Sequence, residues 1–134
     1  MLSYITLGAN DLHASERFYA ALLEPLGYRK QVDSEGLAFT LPDHATHAGG
    51  PCVVYVKPPF DGRPATVGNG SMAAFRTGSH DSVRRVHAAA IAAGGTDEGA
   101  PGFRAAYSKN FFVAYLRDPV GNKIALFCNE DSAA

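Results

Sequence analysis

The sequence contains one internal repeat. A constant offset places Tyr4 on Met72 and Gly27 on Gly95, and it aligns Arg17-Phe18-Tyr19-Ala20-Ala21 with Arg85-Val86-His87-Ala88-Ala89. Self-similarity at a fixed offset indicates that one supersecondary unit is used twice. We therefore predict a single domain over residues 1–134 made of two repeats, over about 3–58 and 70–129, joined by a Gly- and Pro-rich linker over 59–69.

Each repeat begins with a strand that leads into an amphipathic helix. Residues 3–9 alternate as a strand does, and from Asp11 the apolar residues recur every three or four positions. Asn10 or Asp11 can cap this helix, and Gly27 follows its end. The second repeat has the same order, with a strand over 71–77, a cap at Ser79 and a stop at Gly94-Gly95.

The remaining strands are predicted from β-branched and aromatic runs. They span 28–32, 37–41 and 52–57 in the first repeat and 96–98, 111–117 and 123–128 in the second, whereas 99–110 is predicted to be irregular. Asp118-Pro119-Val120-Gly121-Asn122 joins the last two strands as a hairpin turn, because Pro fixes one φ and the Gly-Asn pair tolerates positive φ. The sequence thus predicts an α+β fold of two βαβββ modules.

Composition argues against several classes of protein. The formal net charge of −1 does not fit a protein that binds nucleic acid through its phosphates. No run approaches the roughly 18 apolar residues that a membrane span requires, and the N-terminus lacks a signal-peptide pattern, so we predict a cytoplasmic protein without membrane contact. Cys52 and Cys128 match no metal or redox spacing and are interpreted as buried free thiols.

Four segments carry a family resemblance. They are the passage from the first strand into the first helix, Gly68-Asn69-Gly70-Ser71, the run over 93–102 and the Asp118-Pro119-Val120-Gly121-Asn122 turn. Together they resemble the glyoxalase / bleomycin-resistance / extradiol-dioxygenase superfamily, which has the vicinal oxygen chelate (VOC) fold, and within it the lactoylglutathione-lyase-like branch. The resemblance covers Ile5 to Cys128. It implies two βαβββ modules paired around a cleft, with a mixed curved sheet and helices on the outer face, and it leaves monomer and homodimer open.

The resemblance also implies a metal site on the cleft faces of the first and last strands of each module. There, members that do chemistry hold a divalent metal as a Lewis acid. The ligand positions fall on Tyr4, Val54 (or else Tyr55), Met72 and Ala125. A His-Tyr-His arrangement found in similar proteins falls on Ala106, Tyr107 and Ser108. Phenol, thioether and alkyl groups are poor ligands for such ions, so we predict no metal cofactor.

Strand parity predicts what the cleft face holds in place of metal ligands. The face is an apolar pocket with a phenol and two cations at its edges, which suits a small, partly apolar, anionic molecule that contacts both cations. The predicted ligand-binding residues are Tyr4, Thr6, Met72, Arg76, Tyr107, Lys123, Ala125 and Phe127. No catalytic residue is predicted, and whether the chain is an enzyme stays open.

The histidines are weaker candidates. His44 and His47 lie three residues apart in a Gly-rich loop and could hold a surface metal, but the pattern places no third ligand beside them. His13, His80 and His87 are predicted to lie on the surface or flanks of the helices.

Three functional interpretations remain open. The first is a metal-independent binding protein, similar to the drug-sequestering resistance proteins of the superfamily. The second is a metal-dependent lyase or dioxygenase of glyoxalase type. The third is a structural or interaction domain whose cleft is closed.

Overall fold

The computed structural model describes residues 2–42 and 52–130. Its elements, in chain order, are β1 (Tyr4–Gly8), α1 (Leu12–Leu23), a 3-10 turn (Glu24–Leu26), β2 (Arg29–Val32), β3 (Leu37–Thr40), β4 (Val53–Lys57), β5 (Met72–Arg76), α2 (His80–Ala92), β6 (Thr96–Phe103), β7 (Phe112–Arg117) and β8 (Lys123–Cys128).

The strands form two four-stranded mixed sheets of identical topology. The orders are β1-β4-β3-β2 and β5-β8-β7-β6, and in each sheet only the first pair is parallel. A parallel pair needs a crossover connection, which in each module contains the helix and the hairpin strands. The predicted α+β fold of paired βαβββ modules is confirmed.

Both helices pack on one face of the sheets and against each other. Asp11 caps α1 by accepting a hydrogen bond from the Ala14 N–H (3.1 Å), and Ser79 caps α2 by accepting from the Ser82 N–H (3.0 Å). Phe18 and Leu22 of α1 meet Val83 and other buried residues of α2 in one core. Neither described helix is long and apolar enough to cross a membrane.

One strand is longer than the sequence predicted. β6 continues from Glu98 through Phe103, where an irregular segment was expected, and its pairing with β7 shifts register at Gly99 and again before Gly102. Gly and Pro are typical breakers, but they are tolerated at bulges and on edge strands. Because β6 is an edge strand, Pro101 and the two glycines bend it without ending it.

His80 and His87 are buried, which corrects the prediction that they lie on the surface or flanks of the helices. Each is 6% exposed. The His80 ring stacks on Phe112 with centroids 4.5 Å apart, and His87 Nε2 lies 3.2 Å from the Tyr115 carbonyl oxygen. The helical period explains the error, because positions 80, 83, 87 and 90 share the face of α2 that packs on the sheet.

A buried carboxylate joins the two modules. Asp118, 3% exposed, accepts hydrogen bonds at Oδ1 from the backbone N–H groups of Val120, Gly121 and Asn122, and at Oδ2 from the Asn122 side chain and the Tyr19 hydroxyl (2.5 Å). Asn122 also donates to the Gly8 carbonyl oxygen (3.3 Å). The turn of the second module is thereby fixed to α1 and β1 of the first.

We expect Tyr19→Phe to lower the free energy of unfolding by about 1–3 kcal/mol, because a buried carboxylate oxygen loses a partner. Urea denaturation at pH 7 measures this loss. Tyr107→Phe is the matched control, since the Tyr107 side chain is exposed, and it should leave the stability nearly unchanged. Equal stability of both variants and the unsubstituted protein would contradict the role assigned to this hydrogen bond.

The same pair predicts a dependence on alkaline pH. Burial, reinforced by the neighbouring Asp118 carboxylate, raises the pKa of Tyr19 well above its ordinary value. This contribution to stability is complete below about pH 10, the pKa of an unfolded tyrosine, and declines as pH rises toward the folded pKa. The stability difference between the unsubstituted protein and Tyr19→Phe should therefore narrow above about pH 10.

Candidate functional site

The register of the second sheet separates two faces. Met72 lies opposite Lys123, Ala74 opposite Ala125, and Arg76 opposite Phe127. Because side chains alternate along a strand, these six share one face, while Ala73, Phe75, Ile124 and Leu126 point the other way, toward the core below the helices. The face of the six residues, together with the residues of β7 that point the same way, is called the open face below.

The first sheet contributes the matching face through β1 and β4. Thr6 lies opposite Tyr55, and the Tyr4 and Tyr55 rings meet edge to face with centroids 5.5 Å apart. Val54 pairs with Ile5, is 1% exposed and belongs to the core. The predicted ligand position at Val54 was therefore wrong, and its alternative, Tyr55, lies on the correct face. An error of one residue in the predicted register of β4 accounts for this, because such an error moves a side chain to the opposite face of the sheet.

A row of aromatic contacts crosses the open face. The Arg76 guanidinium lies 5.4 Å from the Phe127 ring centroid, Phe127 contacts Phe111 at 5.7 Å between centroids, and Phe111 contacts Tyr107 at 5.9 Å. Tyr107 belongs to no strand and is 74% exposed, so it reaches the face only through Phe111. The structure thus connects three of the predicted residues, Arg76, Phe127 and Tyr107.

Tyr115 is the residue of the open face that sequence reasoning missed. It lies opposite Ala125, with Lys123 Nζ 5.1 Å and Arg104 Cζ 5.9 Å from its ring centroid. Gly99 makes room for it, since a Cβ there would lie 2.9 Å from the Tyr115 ring. Parity along the predicted hairpin was the available signal, because Tyr115 faces the same way as Val113 and Arg117.

The open face is positively charged. Arg76, Arg104 and Lys123 form no ion pair with any residue of 2–42 or 52–130, whereas Arg117 pairs with Glu98 at 3.1 Å. The Arg117 guanidinium holds the pKa of Glu98 below its usual value. The Glu98 carboxylate also interacts with Lys123 electrostatically, but the cations of this face outnumber it, so the face carries an excess of positive charge.

The two predicted edge cations are far apart. Arg76 lies opposite Phe127 and Lys123 opposite Met72, four residues along the strands, which is roughly 13 Å at about 3.3 Å per residue. A compact acid can therefore contact one of them but not both, contrary to the sequence-based expectation. Exposure also differs among the predicted residues, since Tyr4 is 61% and Met72 48% exposed but Ala125 only 2%.

Solved structures with the same architecture place the chain in a family. A crystal structure of a glyoxalase/bleomycin resistance protein from Albidiferax ferrireducens T118 matches with a TM-score of 0.83 and 37% sequence identity, over 97% of this chain and 99% of that chain. The chain belongs to the glyoxalase/bleomycin resistance protein family. No family sequence profile and no curated protein sequence matches it.

More distant structures share the fold. A glyoxalase-related enzyme from Fulvimarina pelagi matches with a TM-score of 0.69 and 21% identity, over 96% of this chain and 88% of that chain. A glyoxalase/bleomycin resistance protein/dioxygenase family enzyme from Burkholderia phytofirmans PsJN matches with a TM-score of 0.68 and 16% identity, over 96% and 98%.

The residues at the metal positions of the glyoxalase family do not fit a divalent ion. With the corrected register they are Tyr4, Tyr55, Met72 and Ala125, which offer two phenols, a thioether and a methyl group. Within the described ranges, no three His, Cys, Asp or Glu side chains converge. His44 and His47 lie outside those ranges.

The register makes a gain-of-site prediction. The triple variant Tyr4→His, Met72→His and Ala125→Glu should bind zinc at least about tenfold more tightly than any single variant, because zinc sites need three convergent protein ligands. A control triple variant carries Ala73→His in place of Met72→His, which moves one imidazole to the opposite face. Isothermal titration measures the affinities, and equal, weak binding by every variant would refute the assigned positions.

Proposed function

We propose that this protein binds a small, partly apolar, anionic molecule against the open face without a divalent metal. The observation that supports this most directly is Tyr115, whose ring lies beside two cations, Lys123 and Arg104, that have no carboxylate partner in the described chain. A charge-assisted hydrogen bond to an anion would use these cations, and the aromatic rings would bury the apolar part of the ligand.

The favoured anion contact is Lys123, not Arg76. Lys123 lines a cavity of about 510 Å³ together with Arg117, and its ammonium lies 5.1 Å from the centroid of the Tyr115 ring, so an anion in this cavity has a cation and an aromatic ring beside it. Arg76 is the cation at the far end of the face, where its guanidinium lies against Phe127. The ligand we propose is therefore a compact acid held near Tyr115 and Lys123.

A metal-dependent lyase or dioxygenase of glyoxalase type is the alternative enzyme, and a closed-cleft interaction domain is the alternative without a ligand. Family membership favours the first alternative, whereas the donor set at the metal positions argues against it. The low exposure of Ala125 favours the closed-cleft interaction domain, whereas the exposed side chains of Tyr4 and Met72 argue against it. Membership in the lactoylglutathione-lyase-like branch, a homodimer and a cytoplasmic location stay predictions.

Metal content separates the proposed function from the enzyme alternative. We expect less than about a tenth of an equivalent of zinc, nickel, iron or manganese in untagged protein, because phenol and thioether groups hold such ions weakly. Elemental analysis after gel filtration measures this content. A near-stoichiometric metal that chelators remove together with an activity would favour the lyase or dioxygenase.

Ligand binding is expected to depend on Lys123. At about 100 times its dissociation constant, a ligand stabilises a fold by roughly 2.7 kcal/mol, which raises the melting temperature of a chain this size by several degrees. We expect some small aromatic acids, such as substituted benzoates, to produce this shift with EDTA present. Lys123→Met should remove most of it, because the charge is lost while most of the unbranched apolar side chain is kept.

Two control variants make this experiment specific. Arg76→Met should retain most of the shift, because Arg76 lies about 13 Å from Lys123 along the strands. Lys109→Met removes an exposed cation from the irregular segment after β6 and should retain all of it. The proposed function would be wrong if no acid stabilises the protein, or if the three variants respond alike.

A further inference from the structure

β1 and β5 lie on either side of the boundary between the two modules, where residues of both strands line the same cavities. This boundary is called the seam below. Each of these strands is an edge strand of its own sheet, so the described sheets do not continue across the seam. Three adjoining cavities follow the seam, with volumes of about 510, 180 and 280 Å³. Consecutive cavities share residues, since the first two share Gly68, Ser71, Met72 and Lys123, and the last two share Ile5, Met72 and Ala73.

The first cavity is cationic. It is lined by the 67–71 loop and by Arg117 and Lys123, which lie directly opposite each other in the β7-β8 ladder. Like charges in that position are unfavourable unless a counter-charge lies nearby. Glu98 neutralises Arg117 but forms no ion pair with Lys123, so this end of the seam carries an excess positive charge.

The lining becomes apolar with distance from the cationic end. The second cavity is mixed, since Ser71, Asn122 and Lys123 line it beside Ile5, Leu7 and Ala73. The third is mainly apolar and continues past Val54 and Phe75 to Cys52 and Tyr28. From Met72 to Phe75 the seam is roughly 10 Å long at about 3.3 Å per residue. The middle cavity has the smallest volume of the three, about 180 Å³, so an extended hydrocarbon chain that continues into the next cavity fits it better than a bulky group.

We propose that the seam binds the hydrocarbon tail of an anionic amphiphile of medium chain length, such as a fatty acid, whose head contacts Lys123. This inference rests on the proposed function for the anion contact. It extends that function by adding a site for the tail, which the open face does not provide. The proposal is supported by charge complementarity, because cations lie at one end of the seam and mainly apolar side chains line the other end.

Chain length gives the first test. Straight-chain carboxylates from butanoate to dodecanoate are titrated below their micelle concentrations, and stabilisation is measured by thermal shift. Affinity should rise by up to about fourfold per methylene while the tail fills the seam and then level off, because buried methylenes leave water. Dodecanol, which has the same tail without charge, should bind more weakly, and Lys123→Met should abolish that difference.

Alkylation of Cys52 gives the second test. Cys52 is partly exposed, which corrects the interpretation that both thiols are buried, whereas Cys128 is buried, so an uncharged alkylating reagent should modify Cys52 selectively. Burial raises the pKa of the Cys52 thiol, so the reaction is run at alkaline pH. Dodecanoate should slow alkylation about tenfold at ten times its dissociation constant, whereas butanoate should not, since only a long tail reaches the third cavity. Unmodified Cys128 verifies that the protein stays folded.

A filling variant tests the path of the tail. Ala73→Leu adds bulk where the two inner cavities join and should weaken dodecanoate binding at least tenfold, while shifts by aromatic acids persist. Ala88→Leu, on the exposed side of α2, is the matched control and should bind dodecanoate normally. If Ala73→Leu does not fold, the protection of Cys52 in the unsubstituted protein decides whether the tail reaches the third cavity.

The outcomes distinguish this inference from the proposed function. The seam site alone would be overturned by two results together: aromatic acids bind through Lys123, but the affinity of straight-chain carboxylates does not depend on chain length and they leave Cys52 unprotected. Dodecanoate that protects Cys52 equally well in the Lys123→Met variant would overturn the anionic head contact. Failure of every acid to bind would overturn both proposals.

Discussion

The carboxylate of Asp118 is the interaction on which the arrangement of the two modules depends. A buried charge is tolerated only when its hydrogen-bonding capacity is filled, and here five donors fill it. Tyr19 brings one donor from the first module, and Asn122 connects the same turn to Gly8 of β1. Lys123 is the residue after Asn122, so this network also sets where the favoured anion contact stands relative to the seam.

Features specified by neighbouring residues were predicted correctly from the sequence. The caps Asp11 and Ser79, the last hairpin and the repeated order of elements all follow from local propensity and periodicity. The sequence predicted too short a β6, because Pro101 and the nearby glycines are residue types that usually interrupt a strand. Its position at the sheet edge, a property of the whole fold, is what permits bulges there.

Features specified by distant residues could not be predicted in the same way. Tyr19 and Asp118 are separated by 99 positions, and nothing in either local pattern indicates that they meet. The error at Val54 has a related cause, because the register of β4 is fixed by its partners β1 and β3, not by its own alternation. Strand parity indicates that Tyr115 lies on the open face, and the helical period indicates that His80 and His87 are buried, so both features follow from the sequence pattern.

The substitutions at the metal positions change what the site can do with an anion. A divalent ion concentrates positive charge and offers open coordination positions, which allow it to polarise a bound oxygen. Ammonium and guanidinium groups such as Lys123 and Arg104 attract and orient an anion, but they have no vacant orbital with which to accept a lone pair. In the proposed site the family cleft is therefore retained for recognition, with aromatic rings and fixed cations in the place of coordination. An apolar residue at position 125 and a thioether at position 72 then favour contact with the carbon skeleton of a ligand over coordination of its oxygens.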